Sequence, residues 1–304
     1  FPARFGGRLS SVLQIDMKEG NMKEFRGDAT IGLISSKLTL EGPIIKDKTS
    51  FIVAGRRTYA DLFAKPFMPA STDLTLYFYD LNAKINHKIS KNDRIYLSAY
   101  MGNDAFGVDY DGSQDGGQGG KGPSEDGTLI FGLGYGNITS TLRWNHLFSD
   151  KLFSNTTLTY SRYSFHTDFG NSATRSTTFG DENFNIDYGY LSGIEDLGGR
   201  IDFDYAPNPN HDIKFGTSYT YHHFFPGESN LNFSIDFPAL DTLNQDVNID
   251  TVINFSGNTN VHEMFFYFED NVKITNRLKA NIGLHVGYYS LANNTSTTNI
   301  GMME

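Results

Sequence analysis

Between residues 77 and 101 the chain reads YFYDLNAKINHKISKNDRIYLSAYM, and its apolar residues recur at every second position. Tyr77, Tyr79, Leu81, Ala83, Ile85, His87 and Ile89 alternate with Phe78, Asp80, Asn82, Lys84, Asn86 and Lys88. After the polar break SKND, Ile95, Leu97, Ala99 and Met101 alternate with Arg94, Tyr96, Ser98 and Tyr100. Side chains point to opposite faces along a strand, so the stretch is a hairpin with one apolar and one polar face. The same period returns at 278–288 and at 212–221, where Ile213, Phe215, Thr217, Tyr219 and Tyr221 oppose Asp212, Lys214, Gly216, Ser218 and Thr220. A chain built this way must turn its apolar faces either into a shared core or towards lipid, with the polar faces inside.

The connections discriminate between these outcomes. About ten extended segments are bounded by turn residues, near 26–41, 49–59, 74–89, 93–104, 127–148, 151–166, 184–206, 211–224, 260–275 and 278–291. What joins them alternates in length: GPIIKDK, then 60–73; SKN, then 105–126; SD, then 167–183; APNPN, then 225–259; finally TN. In an up-and-down meander every second connection lies at the same end, so this order segregates short turns from long loops. That is the pattern of an outer-membrane barrel, and a soluble sandwich has no reason to adopt it. Aromatic clusters such as Tyr77–Phe78–Tyr79, Tyr219 with Tyr221, and Tyr288–Tyr289 fall near strand ends, where an interfacial girdle would lie. Segment 127–148 changes parity, with Leu129, Phe131 and Leu133 on one set and Leu142 and Trp144 on the other, which predicts a bulge or bend near Gly136. The expected fold is all-β: an antiparallel, up-and-down, transmembrane barrel, present in part as about ten strands of a larger one.

Composition narrows the function classes. A net charge of −10 leaves no basic surface to neutralise phosphates, so nucleic acid is not a partner. Cysteine is absent, which excludes disulfides and thiolate metal sites. No apolar run approaches the roughly 18 residues of a membrane-spanning helix, a rule that says nothing of strands. The chain opens on FPARFGG without an initiator Met, which reads as a piece of a longer protein.

Residues 2–59 carry a family resemblance. PARFGGRLSSVLQIDMKEGN followed by IGLISSKLTLEGPIIKDKTSFIVAGRRTY resembles the plug-to-barrel junction of TonB-dependent outer-membrane receptors. The resemblance implies that 1–20 is the C-terminal end of a plug domain and 21–304 the N-terminal part of the barrel, with EGPIIKDK as a periplasmic turn. It also implies active uptake of a large, scarce ligand, of siderophore, glycan or peptide class, with the outer-membrane lipid, TonB and an inner-membrane energising complex as partners. A surface lipoprotein partner is left open, because PARFGG does not read like the plug end of the polysaccharide-utilisation branch. Neither a catalytic residue nor a cofactor is implied. Arg8, Arg56 and Arg57 are the candidates for plug–barrel contact, with one of the adjacent pair facing inward to a plug carboxylate and a snorkelling interfacial arginine as the alternative.

Other motifs are weaker. Asp109, Asp111, Ser113 and Asp115 in DYDGSQDGGQGGKGPSEDG have calcium-ligand spacing, but glycine falls at position four instead of six and Gly120 stands where a bidentate Glu belongs. The same loop fails as a phosphate loop, since Gly122 follows Lys121. GLGYGN at 132–137 places its glycines on one strand face with no helix after it. His222 and His223, like His262 and Glu263, are adjacent on strands and point to opposite faces, so neither pair grips one metal. Two rival readings remain: a complete ten-stranded outer-membrane enzyme using His222, Asp236, Asp241 and His262, or a soluble β-rich binding protein.

The leading reading makes structural demands. Ile282 and Leu284 should face lipid, and Asn281 and His285 the lumen. Asp270 interrupts the apolar set Met264, Phe266, Phe268, Val272, Ile274 and should force a bulge or an inward rotation. Residues 8–17 should lie extended on the polar side, and the edges near 26–41 and 278–291 should remain unpaired.

Overall fold

Period-two sequence becomes one antiparallel sheet whose spatial order is the chain order. The structure, a computed structural model, describes residues 2–7, 10–114, 124–177, 180–237 and 247–302. The strands are β1 (Arg26–Ile31), β2 (Ser35–Ile45), β3 (Thr49–Thr58), β4 (Thr72–Lys88), β5 (Asp93–Gln114), β6 (Ser124–Ser149), β7 (Leu152–Thr177), β8 (Gly180–Asn208), β9 (His211–Phe237), β10 (Val247–Lys273) and β11 (Lys279–Met302). One short helix, α1 (Ala60–Ala64), lies in the β3–β4 connection. Each strand pairs with its sequence neighbours alone, so β1 and β11 are open edges among the described residues and the barrel is partial.

Two boundaries depart from the sequence reading. Segment 26–41 is not one strand: it reverses at 32–34, where the Gly32 N–H donates to the Ser35 carbonyl, and β1 folds back on β2. The edge therefore falls on β1. The long connections are also shorter than expected, because β5 to β11 run far into them. In 225–259, counted as polar loop, Leu231, Phe233 and Ile235 still alternate with Asn230, Asn232 and Ser234 and pair with β8. Polar residues masked that alternation, and the ladder extends because each backbone N–H and C=O needs a partner. The KDK turn between β2 and β3 holds Asp47 in the left-handed region at φ 58°, which Asp tolerates better than most residues.

The pairing register carries each face across the sheet. One row runs Ile52, Lys84, Ser98, Thr141, Thr159, Gly198, Thr220, Glu263. The row beside it, on the opposite face, runs Phe51, Ile85, Leu97, Leu142, Leu158, Gly199, Tyr219, Met264. The apolar face is open: Leu158 is 55% exposed, Ile282 66% and Leu284 65%. Asn281 and His285 share the polar face with Glu269 and Tyr267. Burial is inverted relative to a soluble core, for Ile52, Tyr96 and Tyr267 are the buried hydrophobic residues described, against ten buried polar or charged ones. At the short-turn end of the apolar face a run of rings, Trp144, His146, Phe148, Phe203 and Phe215, stacks at centroid distances of 4.3–6.4 Å.

Above this region the faces exchange character. On β4–β6, the polar-face positions become Leu76, Phe106, Leu133 and then Leu74, Val108, Phe131, while the other face becomes Thr75, Gly107, Gly132. On β7–β9 the corresponding rows are Phe169, Tyr188, Leu231 and Asp168, Gly189, Asn230. No bulge accompanies this on β4–β6, where the ladder passes Gly136 without a register shift. The expected bulge is therefore absent, and the parity change in 127–148 is a change of surroundings along a regular strand. Asp270 gives a second correction. It sits in register between Ile213 and Ile282 on the apolar face, without bulge or rotation, close to the short turn. Its Oδ2 lies 2.7 Å from His211 Nδ1, so a neighbouring side chain, and not a distorted backbone, accommodates the carboxylate.

Candidate functional site

The N-terminal segment crosses the polar face and is fastened at two places. At the first, Ala3 N–H donates to Glu269 Oε2 at 2.6 Å, and His285 Nδ1 donates to the Ala3 carbonyl at 2.8 Å. Arg4 Nη2 reaches Asp202 Oδ2 at 3.0 Å. Asp202 also accepts from Arg200 Nε at 2.8 Å and Tyr267 Oη at 2.6 Å, and its side chain is 7% exposed. A carboxylate taken out of water survives there because three donors, two of them cationic, surround it. Gly6 lies so close to the His285 ring that a Cβ would collide with it.

The second anchor joins residues 17–21 to β2–β5. Lys84 Nζ donates to the Met17 carbonyl at 2.8 Å, and Lys18 Nζ meets Glu41 Oε1 at 2.8 Å. Glu41 Oε2 accepts the Asn21 N–H at 3.1 Å. Glu19 Oε2 accepts from Asn86 Nδ2 at 2.8 Å, with Arg94 Nη1 3.5 Å away. Gly20 packs against the Phe51 carbonyl, where a Cβ would not fit. The Met22 carbonyl then accepts the Asp47 N–H, and the chain turns into β1 beside the short turn. Between the anchors, residues 10–16 are exposed, with Leu13 at 83% and Ile15 at 79%. Residues 11–17 form neither strand nor helix, and the segment is a strap tied to the polar face at both ends.

The residues singled out from sequence are dispersed. Arg8 lies outside the described residues. Arg56 is on the polar face, where its Nε donates to Asp80 Oδ2 on β4 at 2.7 Å and its guanidinium stands 4.9 Å from the Phe78 ring. Its described partner is thus a strand carboxylate, not one on the strap. Arg57 is on the other face, 5.5 Å from the Tyr77 ring. Asp109 and Asp111 belong to β5, whose ladder runs on to Gln114, so the backbone there is extended and does not curl around an ion; Asp115 lies outside the described residues. His222 and His262 point to opposite faces. His222 stands between Asp196 at 2.7 Å and Glu263 at 3.1 Å, and His262 Nδ1 is 2.8 Å from the Tyr219 hydroxyl. Asp236 is far along β9 and Asp241 lies outside the described residues. Among the described residues no group of three or more His, Asp or Glu side chains is arranged to hold a metal.

Of the strap's partners, His285 was assigned to the polar face from sequence, while Glu41, Lys84, Asn86, Asp202 and Glu269 were not singled out. Their one local signal is a charged or amide side chain at mid-strand on the polar face, which also fits a wall facing water. One hollow adjoins the first anchor and a second lies apart from both. A cavity of about 460 Å³ lies beneath the first anchor, lined by Arg4, Asp196, Arg200, His222, Glu263 and His285 together with Phe5, Val12 and Phe265 among others. An apolar one of about 360 Å³ lies above the exchange of faces on β4–β6.

No family model matches the chain, and no curated protein does. Among solved structures it is similar to the siderophore receptor PirA from Acinetobacter baumannii, at 10% identity over 93% of this chain and 74% of that one. The TM-score is 0.21, below what a common fold gives.

Proposed function

We propose that this chain is the end of a plug and the first part of the barrel of a TonB-dependent outer-membrane transporter, taking up a large, scarce ligand without catalysis. The observation that carries the reading is the exchange of faces along regular strands. Below it the apolar side chains stand on the open face and the polar ones line the strap; above it the order reverses with no slip in pairing on β4–β6. A medium that changes from lipid to water at that level accounts for the open face, which is apolar below it and polar or glycine-rich above. Across β3–β11 the open face carries exposed apolar side chains on successive strands, Val53, Leu81, Leu97, Leu142, Leu158, Tyr219 and Leu284 among them, a continuity that soluble monomers rarely expose. The strap, continuous with the plug-like opening, occupies the side on which a plug would sit. A closed barrel needs a ladder between β1 and β11, and among the described residues each of those strands has one neighbour.

The test uses cells that make the complete protein. This chain contains no cysteine, so Asp181→Cys in the long hairpins and Lys91→Cys in a short turn can be labelled separately with a membrane-impermeant maleimide. Asp181→Cys should react in intact cells, and Lys91→Cys only after the outer membrane is permeabilised. Recovery in the soluble fraction, or equal labelling of both, rejects the membrane reading. Coupling is tested apart from this: failure of the complete protein to bind the TonB C-terminal domain would remove that element alone.

A further inference from the structure

We infer that the apolar recess above the exchange of faces, between the β3–β4 connection and β4–β6, binds an apolar moiety of the ligand, an aromatic ring or a short acyl group. This rests on the barrel reading, which makes the recess open to the outside. Leu76, Phe106 and Leu133 form one cross-strand row on the inner face, Phe78 lies in the row below, and Ile34 closes the side. The hollow holds about 360 Å³, within the range of small-molecule sites. Two of its polar side chains are engaged within the protein: the Tyr135 hydroxyl is bound to Asp104, and Thr58 Oγ1 bridges the Phe78 N–H and carbonyl.

The described chain does not cover this wall, for Leu76 is 41% and Phe106 38% exposed. Ala60 of α1 forms part of the rim. Close by, α1 and the turn after it hold Leu62, Phe63 and Phe67 at 63%, 46% and 91% exposure. A watery vestibule would not favour apolar side chains on the wall and on the rim together. A guest with an apolar part would bury both.

The complete protein in isolated, unenergised outer membranes provides the test, with 2-naphthol as the probe. Leu133→Cys should react with a maleimide, and 2-naphthol at four times its dissociation constant should slow that reaction about fivefold. Myo-inositol should not slow it, and Asp168→Cys, on the outer face of β7, should be unaffected. Phe106→Ser, or Leu76→Ser if that variant fails to insert, should abolish the protection. The inference is overturned if 2-naphthol gives no protection or protects Asp168→Cys equally. It is also overturned if Leu133→Cys is inert without probe, which would mean that another segment fills the recess. Because the membranes are unenergised, a failure of uptake leaves the result intact. If 2-naphthol fails to protect Leu133→Cys in a correctly inserted protein that is otherwise unsubstituted, the recess is rejected and the barrel spared.

Discussion

An arginine placed twice on the same face of β7 distinguishes two media from one. Leu158 and His166 have the same parity, and both are exposed on the face opposite the strap. Eight residues separate them, about 26 Å along the strand, or about 20 Å along the barrel axis at a tilt near 40°. Leu158 sits mid-belt, with Leu142 and Gly199 as cross-strand neighbours. His166 lies beyond the exchange of faces, in register with Gly134 and Leu191. The half-thickness of the hydrocarbon is about 15 Å, so His166 is outside it when Leu158 is near the middle. Leu158→Arg should then cost about 2–4 kcal/mol of folding free energy, and His166→Arg about 0–1 kcal/mol. Urea titration of the complete protein folding into bilayers reads both. Equal costs within about 0.5 kcal/mol, or a larger cost at His166, would refute the idea that the solvent changes between them.

Asp202→Ala removes the acceptor shared by Arg4, Arg200 and Tyr267 and should cost about 2–4 kcal/mol. Hydrogen exchange at residues 3–6 should accelerate while 17–21 stay protected; simultaneous loss of both would show that the anchors are not independent. The Lys65–Asp73 pair, 2.9 Å apart, holds the end of the β3–β4 connection. Its hydrogen bond to Lys65 puts the Asp73 carboxyl below the ordinary 3.8. A depressed carboxyl contributes stability above its unfolded value and loses it as pH falls through the folded one. The protection factor at 60–68, taken against the intrinsic exchange rate at each pH, should therefore be flat through neutral pH and fall below pH 3.8, and Asp73→Asn should give the acid value at pH 7. For His211 and Asp270, a double-mutant cycle to alanine should show coupling of about 0.5–1.5 kcal/mol; additivity would mean that the carboxylate is hydrated in place.

Strand order, and the identity of every strand but β1, were legible locally. Alternation at 77–101 and 212–221 needs no distant partner to define two faces, and short turns such as SKND force the next strand to lie beside the last. Even the two features that misled the reading, the parity of 127–148 and Asp270, were correctly located. Alternation says that a strand has two faces, but not which medium each one meets. A bulge near Gly136 was therefore the local explanation for what is an exchange of faces along a regular ladder. Asp270 found its answer in His211, 59 positions away. The strap was least legible of all. Ala3 meets Glu269 across 266 positions, Arg4 meets Asp202 across 198, and Lys84 meets Met17 across 67. Lys84, Asp202 and Glu269 look, in sequence, like polar residues of a solvated wall. Only the closing of the chain over that wall turns them into anchors, because a contact between residues so far apart is decided by the path of everything between them.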